Sequence, residues 1–211
     1  MLRVHIIGGS RSGTTLMMQL MGACFDFEAY ATRETSIFCL KTEKSIKGLR
    51  SFCSKHPVDI KNLKLLLKLN KNLHFIYMLR DPRDAVCSCL RRGDEITWVS
   101  LRMWFYKYKK MCNYIECDRF HVIKYEDLVT DPQKVQQHIQ SKITALNKTA
   151  DFIDFYKHVV PSVTINENLN GLRKIDSNSI GNWRNHMPVL LARMTEFGNI
   201  EAIANTIIML G

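Results

Sequence analysis

A glycine-rich segment near the N-terminus has the residue types and spacing of a phosphate-binding loop. Residues 8–15 (GGSRSGTT) lie between an apolar run, residues 3–7, that predicts a strand and an apolar run, residues 14–24, that predicts a helix. Glycines let the backbone approach an anion closely, and the first amides of a helix, at the positive end of its dipole, favour negative charge. The sequence therefore predicts a strand–loop–helix unit that binds a phosphate group.

This loop differs at one position from the loop of nucleoside triphosphatases. Gly8, Gly13 and Thr15 match the spacing GxxxxGK[ST], but Thr14 stands where that pattern has lysine. A nucleoside triphosphatase uses the lysine on its phosphates and the last hydroxyl on Mg²⁺. The donors present here suit a phosphosulfate bound without a metal, and a simple Gly-Ser turn before a helix is the alternative. The predicted cofactor-binding residues of the loop are Arg11, Ser12, Gly13, Thr14 and Thr15.

A second group of anion-binding residues follows the apolar segment 74–79 (HFIYML), which predicts a buried strand. Arg80 ends this strand, and Ser88 and Arg92 lie four residues apart on one face of the helix predicted to follow. The planar fork of an arginine together with a hydroxyl matches a dianionic phosphate well. In the alternative interpretation Arg80 pairs with Asp84, and Ser88 is simply a small helix residue.

The two loops, in this order, resemble those of the sulfotransferases that use 3'-phosphoadenosine-5'-phosphosulfate (PAPS). Arg-Ser-Gly-Thr-Thr-Leu after a strand is similar to the family's 5'-phosphosulfate loop, and a strand-end arginine with a serine eight residues on is similar to its 3'-phosphate site. Tyrosylprotein sulfotransferases and related bacterial enzymes are the most similar members. The resemblance implies transfer of a sulfuryl group from PAPS to a hydroxyl acceptor, with release of 3',5'-ADP (PAP) and no metal.

The resemblance also implies catalytic roles. Lys55, in Ser-Lys-His-Pro, is similar to the lysine of a Lys-x-Pro element that reaches the transferring group. Glu34, in Thr-Arg-Glu-Thr, lies close to where the tyrosylprotein enzymes place their catalytic glutamate. We therefore expect Glu34 to be the base, while Lys55 and Arg11 offset charge on the sulfuryl and bridging oxygens. His56 and Glu28 are weaker candidates for the base.

Two further elements of the family have counterparts near the C-terminus. Tyr125, in Tyr-Glu-Asp-Leu, resembles a tyrosine that helps to hold the nucleotide, and Ser179 begins a Ser-x-Gly-x-Trp element on a loop that covers it. Trp183, which ends this element, is as consistent with a core position. Arg173 and Lys174 resemble a 3'-phosphate element only partly, because Ile175 stands where that element has glycine.

Strands and helices are predicted to alternate along the chain. We expect strands over residues 3–7, 27–30, 49–53 (ending at Lys55), 74–79 and 120–124, and helices over residues 14–24, 37–44, 57–70, 97–115, 132–146 and 188–210, with a further helix beginning at Pro82. Such spacing implies right-handed crossovers and a parallel sheet covered by helices on both faces. The prediction is a three-layer, P-loop-like α/β fold, with residues 1–211 as a single sulfotransferase domain.

Composition limits the class of partner and the compartment. The net charge is +10 and the isoelectric point is about 9.3, which favours an anionic partner without identifying it. Seven cysteines without a CxxC pair indicate reduced thiols and a cytoplasmic protein. No apolar run approaches the ~20 residues of a membrane span. The expectation is a soluble protein, or the soluble domain of an anchored enzyme if the chain is a fragment.

Two other functions are compatible with parts of the sequence. A P-loop kinase of a small metabolite is opposed by Thr14 and by the lack of a clear strand ending in Asp for Mg²⁺. A basic, non-catalytic module that binds a nucleotide, RNA or a polyanion is opposed by the absence of aromatic residues interleaved with the basic ones. For the acceptor, a sugar hydroxyl is the first expectation, and tyrosine or a small metabolite remains open. The positive charge favours an anionic saccharide or an acidic peptide.

Overall fold

The sheet at the centre of the molecule is parallel throughout the described part of the chain. The computed structural model describes residues 1–31, 33–40, 48–88, 99–159 and 173–198. Within these ranges the strands are β1 (Leu2–Gly8), β2 (Ala29–Tyr30), β3 (Ser51–Lys55), β4 (Leu73–Leu79) and β5 (Phe120–Lys124). They lie in the order β2-β3-β1-β4-β5, with every neighbouring pair parallel.

Helices follow the strands and cover both faces of the sheet. They are α1 (Thr14–Cys24), α2 (Ile37–Leu40), α3 (Leu63–Leu69), α4 (Pro82–Cys87), α5 (Leu101–Cys112), α6 (Tyr125–Thr130), α7 (Pro132–Lys142) and α8 (Met187–Phe197). Short 3₁₀ helices span Asp59–Asn62, Phe152–Lys157 and Asn182–His186. This arrangement confirms the predicted three-layer α/β fold. No helix among the described residues is long and apolar enough to cross a membrane.

Strand β4 shows how the sheet separates two apolar layers. Phe75 and Tyr77 belong to the layer that includes α3 and α5, whereas Ile76 and Met78 belong to the layer that includes α1 and α7. All four side chains are buried. An apolar side chain on both faces is expected of an interior parallel strand, so the continuous apolar run of this segment predicted its position correctly.

Two helices begin at an Asp-Pro pair, as the sequence predicted. The carboxylate of Asp81 accepts a hydrogen bond from the backbone N–H of Arg83 at 2.8 Å, with Pro82 in the first helical position of α4. Asp131 caps α7 in the same way. A side-chain oxygen satisfies an amide that the helix leaves unpaired, and proline has no N–H to satisfy there.

Strand β3 begins two residues later than predicted, at Ser51, and reaches Lys55. Its end at Lys55 is the predicted one, and its polar residues have partners inside the protein. The Ser54 hydroxyl lies 2.7 Å from Nδ1 of His5 in the neighbouring strand. The helix predicted from residue 57 starts only at Leu63, because a 3₁₀ turn comes first. The predicted residues 41–44, 97–98 and 199–210 lie outside the described residues.

The direction of the chain reverses at β1, which lies between β3 and β4. From β1 the chain moves to one side of the sheet to form β2 and β3, and it returns to the other side for β4 and β5. In open parallel sheets, ligands bind in the crevice outside the carboxyl ends of the strands at such a switch point. The loops after β1, β3, β4 and β5 therefore meet at one edge of the sheet, where the predicted site residues lie.

A pair of stacked histidines links β4 and β5. The rings of His74 and His121 are 5.4 Å apart and 12° from parallel, and Nδ1 of His74 lies 3.1 Å from Nε2 of His121. One ring donates and the other accepts, so at least the accepting ring must be neutral. Burial lowers the pKa of His121 to about 4. Positive charge on His74, His138 and Lys142 also lowers this pKa, whereas the carboxylate of Asp118 acts to raise it.

We expect the free energy of unfolding to fall in mild acid because of this pair. Unfolded histidine binds a proton below about pH 6.5, whereas folded His121 resists protonation until about pH 4. The contribution of His121 to the free energy of unfolding is therefore fully present above pH 6.5. As the pH falls to 4 this contribution is lost, which lowers the free energy of unfolding by up to about 3 kcal/mol. Urea unfolding at several pH values measures this slope. His121→Gln should flatten it, and the exposed His158→Gln should not; equal slopes in all three proteins would contradict the prediction.

Candidate active site

The loop after β1 has a tightly constrained backbone. Arg11 has a φ angle of 63° and Gly13 one of 87°, so the chain turns twice through the left-handed region before α1 begins. A Cβ atom on Gly13 would lie 2.5 Å from a ring carbon of Tyr125, so only glycine fits. The buried Ser12 hydroxyl donates to the Gly9 carbonyl at 2.7 Å and holds the turn closed.

Lys55 joins this loop to the predicted base. Its ammonium donates to the hydroxyl of Thr15 at 2.9 Å and forms an ion pair with Oε1 of Glu34 at 3.0 Å. The Lys55 side chain is only 5% exposed, whereas that of Glu34 is 54% exposed. The structure thus brings together three residues predicted from separate segments, with a cation inside the site and a carboxylate at its mouth.

Arg80 joins the loop after β4 to the loop after β1. Its guanidinium donates to the Arg11 carbonyl at 2.8 Å and to the Ser179 carbonyl at 3.3 Å, and it stacks on the ring of Tyr125 at 4.2 Å. Arg80 is buried, and among the described residues its Nε atom has no hydrogen-bond partner. The alternative pairing with Asp84 is not formed.

Ser88 and Ser179 reach the same place from two other segments. The Ser88 hydroxyl accepts a hydrogen bond from Nε of Arg11 at 3.1 Å and donates to the Ala85 carbonyl. The hydroxyl groups of Ser179 and Tyr125 lie 2.8 Å apart. Five predicted cofactor-binding residues, Arg11, Arg80, Ser88, Tyr125 and Ser179, therefore form one connected network.

The segment that carries Ser179 is fixed by Asp84 of α4. One carboxylate oxygen accepts the backbone N–H of Gly181 at 2.7 Å, and the other accepts that of Trp183 at 2.9 Å. Trp183 lies between the guanidinium groups of Arg83 and Arg184 and is not in the core. Sequence reasoning missed this role of Asp84, since nothing local to the helix shows that its partner is a loop almost a hundred residues away.

Helix α5 contributes two side chains that sequence reasoning also missed. The indole N–H of Trp104 donates to the Arg80 carbonyl at 3.1 Å, and the Lys107 ammonium donates to the Gly8 carbonyl at 3.0 Å. Lys107 is only 4% exposed. The available signal was a lysine on the apolar face of the helix, three residues after a tryptophan.

A buried carboxylate orders the residues around Glu34 and His56. Asp59 accepts hydrogen bonds from the Ser36 hydroxyl and the Ile37 backbone N–H, and it contacts the rings of His5 and His56. Burial acts to raise the pKa of Asp59, but these hydrogen bonds outweigh it and lower the pKa to about 2. Asp59 therefore stays ionised and ties the segment before α2 to the end of β3.

The remaining candidates lie elsewhere or outside the described residues. Glu28 binds the backbone and side chain of Arg50, before the start of β3 and thus at the opposite edge of the sheet from Lys55. Arg173 forms an ion pair with Asp176. Arg92 is not among the described residues. Within the described ranges, no group of three or more His, Cys, Asp or Glu side chains is arranged to hold a metal ion.

A sequence model of the sulfotransferase family matches residues 30–144, more than half of the 211-residue chain. The chain belongs to the sulfotransferase family. This confirms the resemblance found in the sequence and, with it, the predicted class of enzyme. No curated protein sequence matches the chain.

Solved structures of sulfotransferases share the fold. The mouse sulfotransferase SULT7A1, solved with PAP, is 14% identical with a TM-score of 0.64, over 94% of this chain and 83% of that one. The sulfotransferase domain of the Synechococcus olefin synthase is 16% identical with a TM-score of 0.61, over 87% and 86%. That of the curacin biosynthetic pathway is 18% identical with a TM-score of 0.59, over 86% and 89%. At these identities the likeness supports the sulfotransferase fold.

We expect Asp84→Asn to loosen the loop of this sulfotransferase around residues 179–183. Both carboxylate oxygens accept backbone amides, whereas an asparagine has one acceptor and would turn an N–H₂ group towards the other amide. The cost should be about 1–3 kcal/mol of local stability. Hydrogen exchange at Gly181 and Trp183 should become roughly 10-fold faster or more.

The matched control is Asp154→Asn, which removes a surface carboxylate that pairs with Lys157. It should leave exchange in the loop unchanged. Unaltered exchange at both amides in Asp84→Asn would show that this carboxylate does not hold the loop.

Proposed function

We propose that this protein transfers the sulfuryl group of PAPS to a hydroxyl acceptor. The observation that carries the proposal is the hydrogen bond between the Arg80 guanidinium and the Arg11 carbonyl, which unites the two predicted anion-binding loops in one site. Membership of the sulfotransferase family and the PAP found in a solved structure of the same fold support the choice of cofactor.

The residues present fit a nucleotide with phosphates at both ends. The buried Nε–H of Arg80 has no partner among the described residues, which is costly unless a ligand accepts it. With Ser88 close by, Arg80 would hold the 3'-phosphate, and Arg92 remains a predicted further ligand. The glycine-containing turn at the start of α1, with Thr14 and Thr15, would hold the 5'-phosphate.

Tyr125 and Ser179 would complete the nucleotide site. The Tyr125 ring lies against both Gly13 and Arg80, and its hydroxyl contacts Ser179 on the loop held by Asp84. These two residues would thus contact both of the proposed phosphate sites. Ser12 supports the site chiefly by closing the turn, and its role as a direct ligand stays a prediction.

Three charged residues would carry the chemistry. PAPS supplies the sulfuryl group, and the acceptor oxygen displaces PAP in line at sulfur. Lys55 and Arg11 offset the negative charge that develops on the sulfuryl and bridging oxygens. Glu34, half exposed at the mouth of the site and paired with Lys55, takes the proton of the acceptor hydroxyl.

His56 is the rival base. Its ring is partly exposed and its Nδ1 contacts Asp59 at 2.9 Å, an arrangement that orients an imidazole for proton transfer. Glu34 is favoured because it contacts Lys55, the residue expected to reach the transferring group. Substitution of each residue distinguishes the two candidate bases.

We also propose a class of acceptor, a cellular location and the extent of the domain. A sugar hydroxyl is the first choice, with tyrosine or a small metabolite as alternatives. A reducing, cytoplasmic location is supported by the free thiols among the described residues, which are Cys24, Cys53, Cys87, Cys112 and Cys117. Residues 1–211 are proposed to act as one sulfotransferase domain.

Calorimetry against PAP, ATP and an oligonucleotide, followed by transfer from [³⁵S]PAPS, tests the proposed function. We expect PAP to bind with and without EDTA, because the proposed site uses arginine, hydroxyl and backbone donors. Arg80→Met should weaken PAP at least 10-fold, since a hydrogen bond to a charged group contributes about 1.5–3 kcal/mol. Binding of MgATP in place of PAP would favour a kinase, and binding of the oligonucleotide alone would favour a nucleic-acid module.

Substitution of Glu34 separates catalysis from cofactor binding. Glu34→Gln should lower kcat by about 10²–10⁴, the usual contribution of a general base, and leave the Kd for PAP within about 2-fold. Glu28→Gln, a carboxylate bound to Arg50, is the matched control and should be fully active. If Glu34→Gln kept its activity while His56→Asn lost it, the base would be His56.

A further inference from the structure

Two helices on one side of the sheet carry positive charge and no negative charge. Residues 61–72, which include α3, contain four lysines and no acidic residue, and α5 contains one arginine and three lysines and no acidic residue. Lys107 is the buried member of this set. The basic residues that reach the surface, here called the α3–α5 face, are Lys61, Lys64, Lys68, Lys71, Arg102, Lys109 and Lys110.

The two helices lie side by side, so these charges share one face. The 3₁₀ helix Asp59–Asn62, which leads into α3, contacts α5. Beyond the end of α5, the guanidinium of Arg119 donates to the carbonyls of Leu67 and Asn70 at the end of α3, at 3.0 and 2.7 Å. Both helices also pack on the same apolar layer of the sheet.

The charges of the α3–α5 face are not neutralised by the protein. None of its seven basic residues forms an ion pair within the described part of the chain, although basic residues elsewhere on the surface do. Examples are the pairs of Lys148 with Asp151 and of Lys157 with Asp154. A cluster of unpaired cations produces a positive potential that attracts an anionic partner.

Apolar side chains are exposed among these cations. Leu65 and Leu69 are 48% and 54% exposed, and they alternate with Lys64 and Lys68 on the outer side of α3. Met103 and Tyr106 are exposed on α5. A soluble polyanion would be bound by the lysines and would leave the leucines in water. An anionic bilayer offers both headgroup charge and hydrocarbon, and leucine beside lysine is typical of helices that lie in its interface.

We propose that the α3–α5 face binds the surface of a membrane that contains anionic lipids. The lysines bind the headgroups, while Leu65 and Leu69 enter the boundary between headgroups and acyl chains. Anionic lipids are concentrated in the cytoplasmic leaflet, which agrees with the proposed location of the protein. The inference goes beyond the proposed function, because it needs neither the nucleotide nor the candidate bases.

Co-sedimentation of the whole chain with vesicles tests the proposal. The vesicles consist of phosphatidylcholine alone or of phosphatidylcholine with about 30% phosphatidylserine. Binding to the anionic vesicles should be about 10-fold or more tighter than to the neutral ones, and it should weaken as salt is added. Equal binding to both kinds of vesicle, or binding to neither, would overturn the proposal.

Substitution of two lysines should weaken the binding selectively. Lys64→Gln with Lys68→Gln should lower the affinity for the anionic vesicles about 10- to 30-fold, because each lysine near such a surface contributes about 5-fold. The matched control is Lys134→Gln with Lys142→Gln, which removes two exposed lysines from α7 on the other side of the sheet. If both pairs weakened the binding equally, net charge and not this face would be responsible.

Substitution of the leucines separates a membrane from a soluble polyanion. Leu65→Ser with Leu69→Ser should weaken binding to the anionic vesicles about 10-fold and change binding to heparin, a soluble polyanion, by less than about 2-fold. Ile153→Ser is the control, because this exposed residue lies in the layer on the opposite side of the sheet. If the leucine variant bound the vesicles as the wild type does while the lysine variant lost heparin, the partner would be a soluble polyanion and the proposal would be wrong.

Discussion

The loop after β1 depends on three side chains that hold its carbonyl oxygens. Lys107 binds the carbonyl of Gly8, Ser12 binds that of Gly9, and Arg80 binds that of Arg11. Within one planar peptide group the C=O and N–H bonds point in opposite directions, so fixing a carbonyl also fixes the amide behind it. An anion site built from backbone amides needs its peptide groups to be held in this orientation, because a carbonyl turned inwards would repel the ligand.

These contacts explain why distant segments must be present for the site to exist. Arg80 arrives from β4 and Lys107 from α5, and Trp104 of the same helix holds the Arg80 carbonyl in turn. The switch point of the sheet brings these segments to one edge, since β1 lies directly beside β4. The fold thus supplies the proximity, and a few buried donors supply the orientation.

The sequence predicted those parts of the site whose signal is local. A glycine-rich turn between a strand and a helix, an arginine at a strand end and an Asp-Pro helix start each depend on neighbours in the chain. It did not reveal Asp84 as the support of the loop at Gly181, or Lys107 as the donor that holds the Gly8 carbonyl. Their partners lie far away in sequence, and only the packing of α4 and α5 selects which polar side chain turns inwards.

The same limit applies to the positions at which strands begin and end. Strand β4 was predicted to within one residue because both of its faces are apolar, whereas β3 begins two residues later than predicted and ends at Lys55 as predicted. A buried polar residue looks like an exposed one until its partner is known. Ser54 and Lys55 lie where β3 approaches the site, and only their partners show that they are buried.

The distribution of carboxylates gives the site its polarity. Asp59 and Asp84 are buried, yet both are occupied by backbone amides, and Asp84 has both oxygens engaged in this way. Asp81 likewise caps α4 and pairs with Arg83. The negative charges near the two loops are thus bound by groups of the protein itself, which keeps them away from an anionic ligand.

Glu34 differs, because it is half exposed and its contact is the ammonium of Lys55. In the proposed mechanism, a carboxylate in that position would take a proton from the acceptor while the cations beside it offset charge on the transferred group.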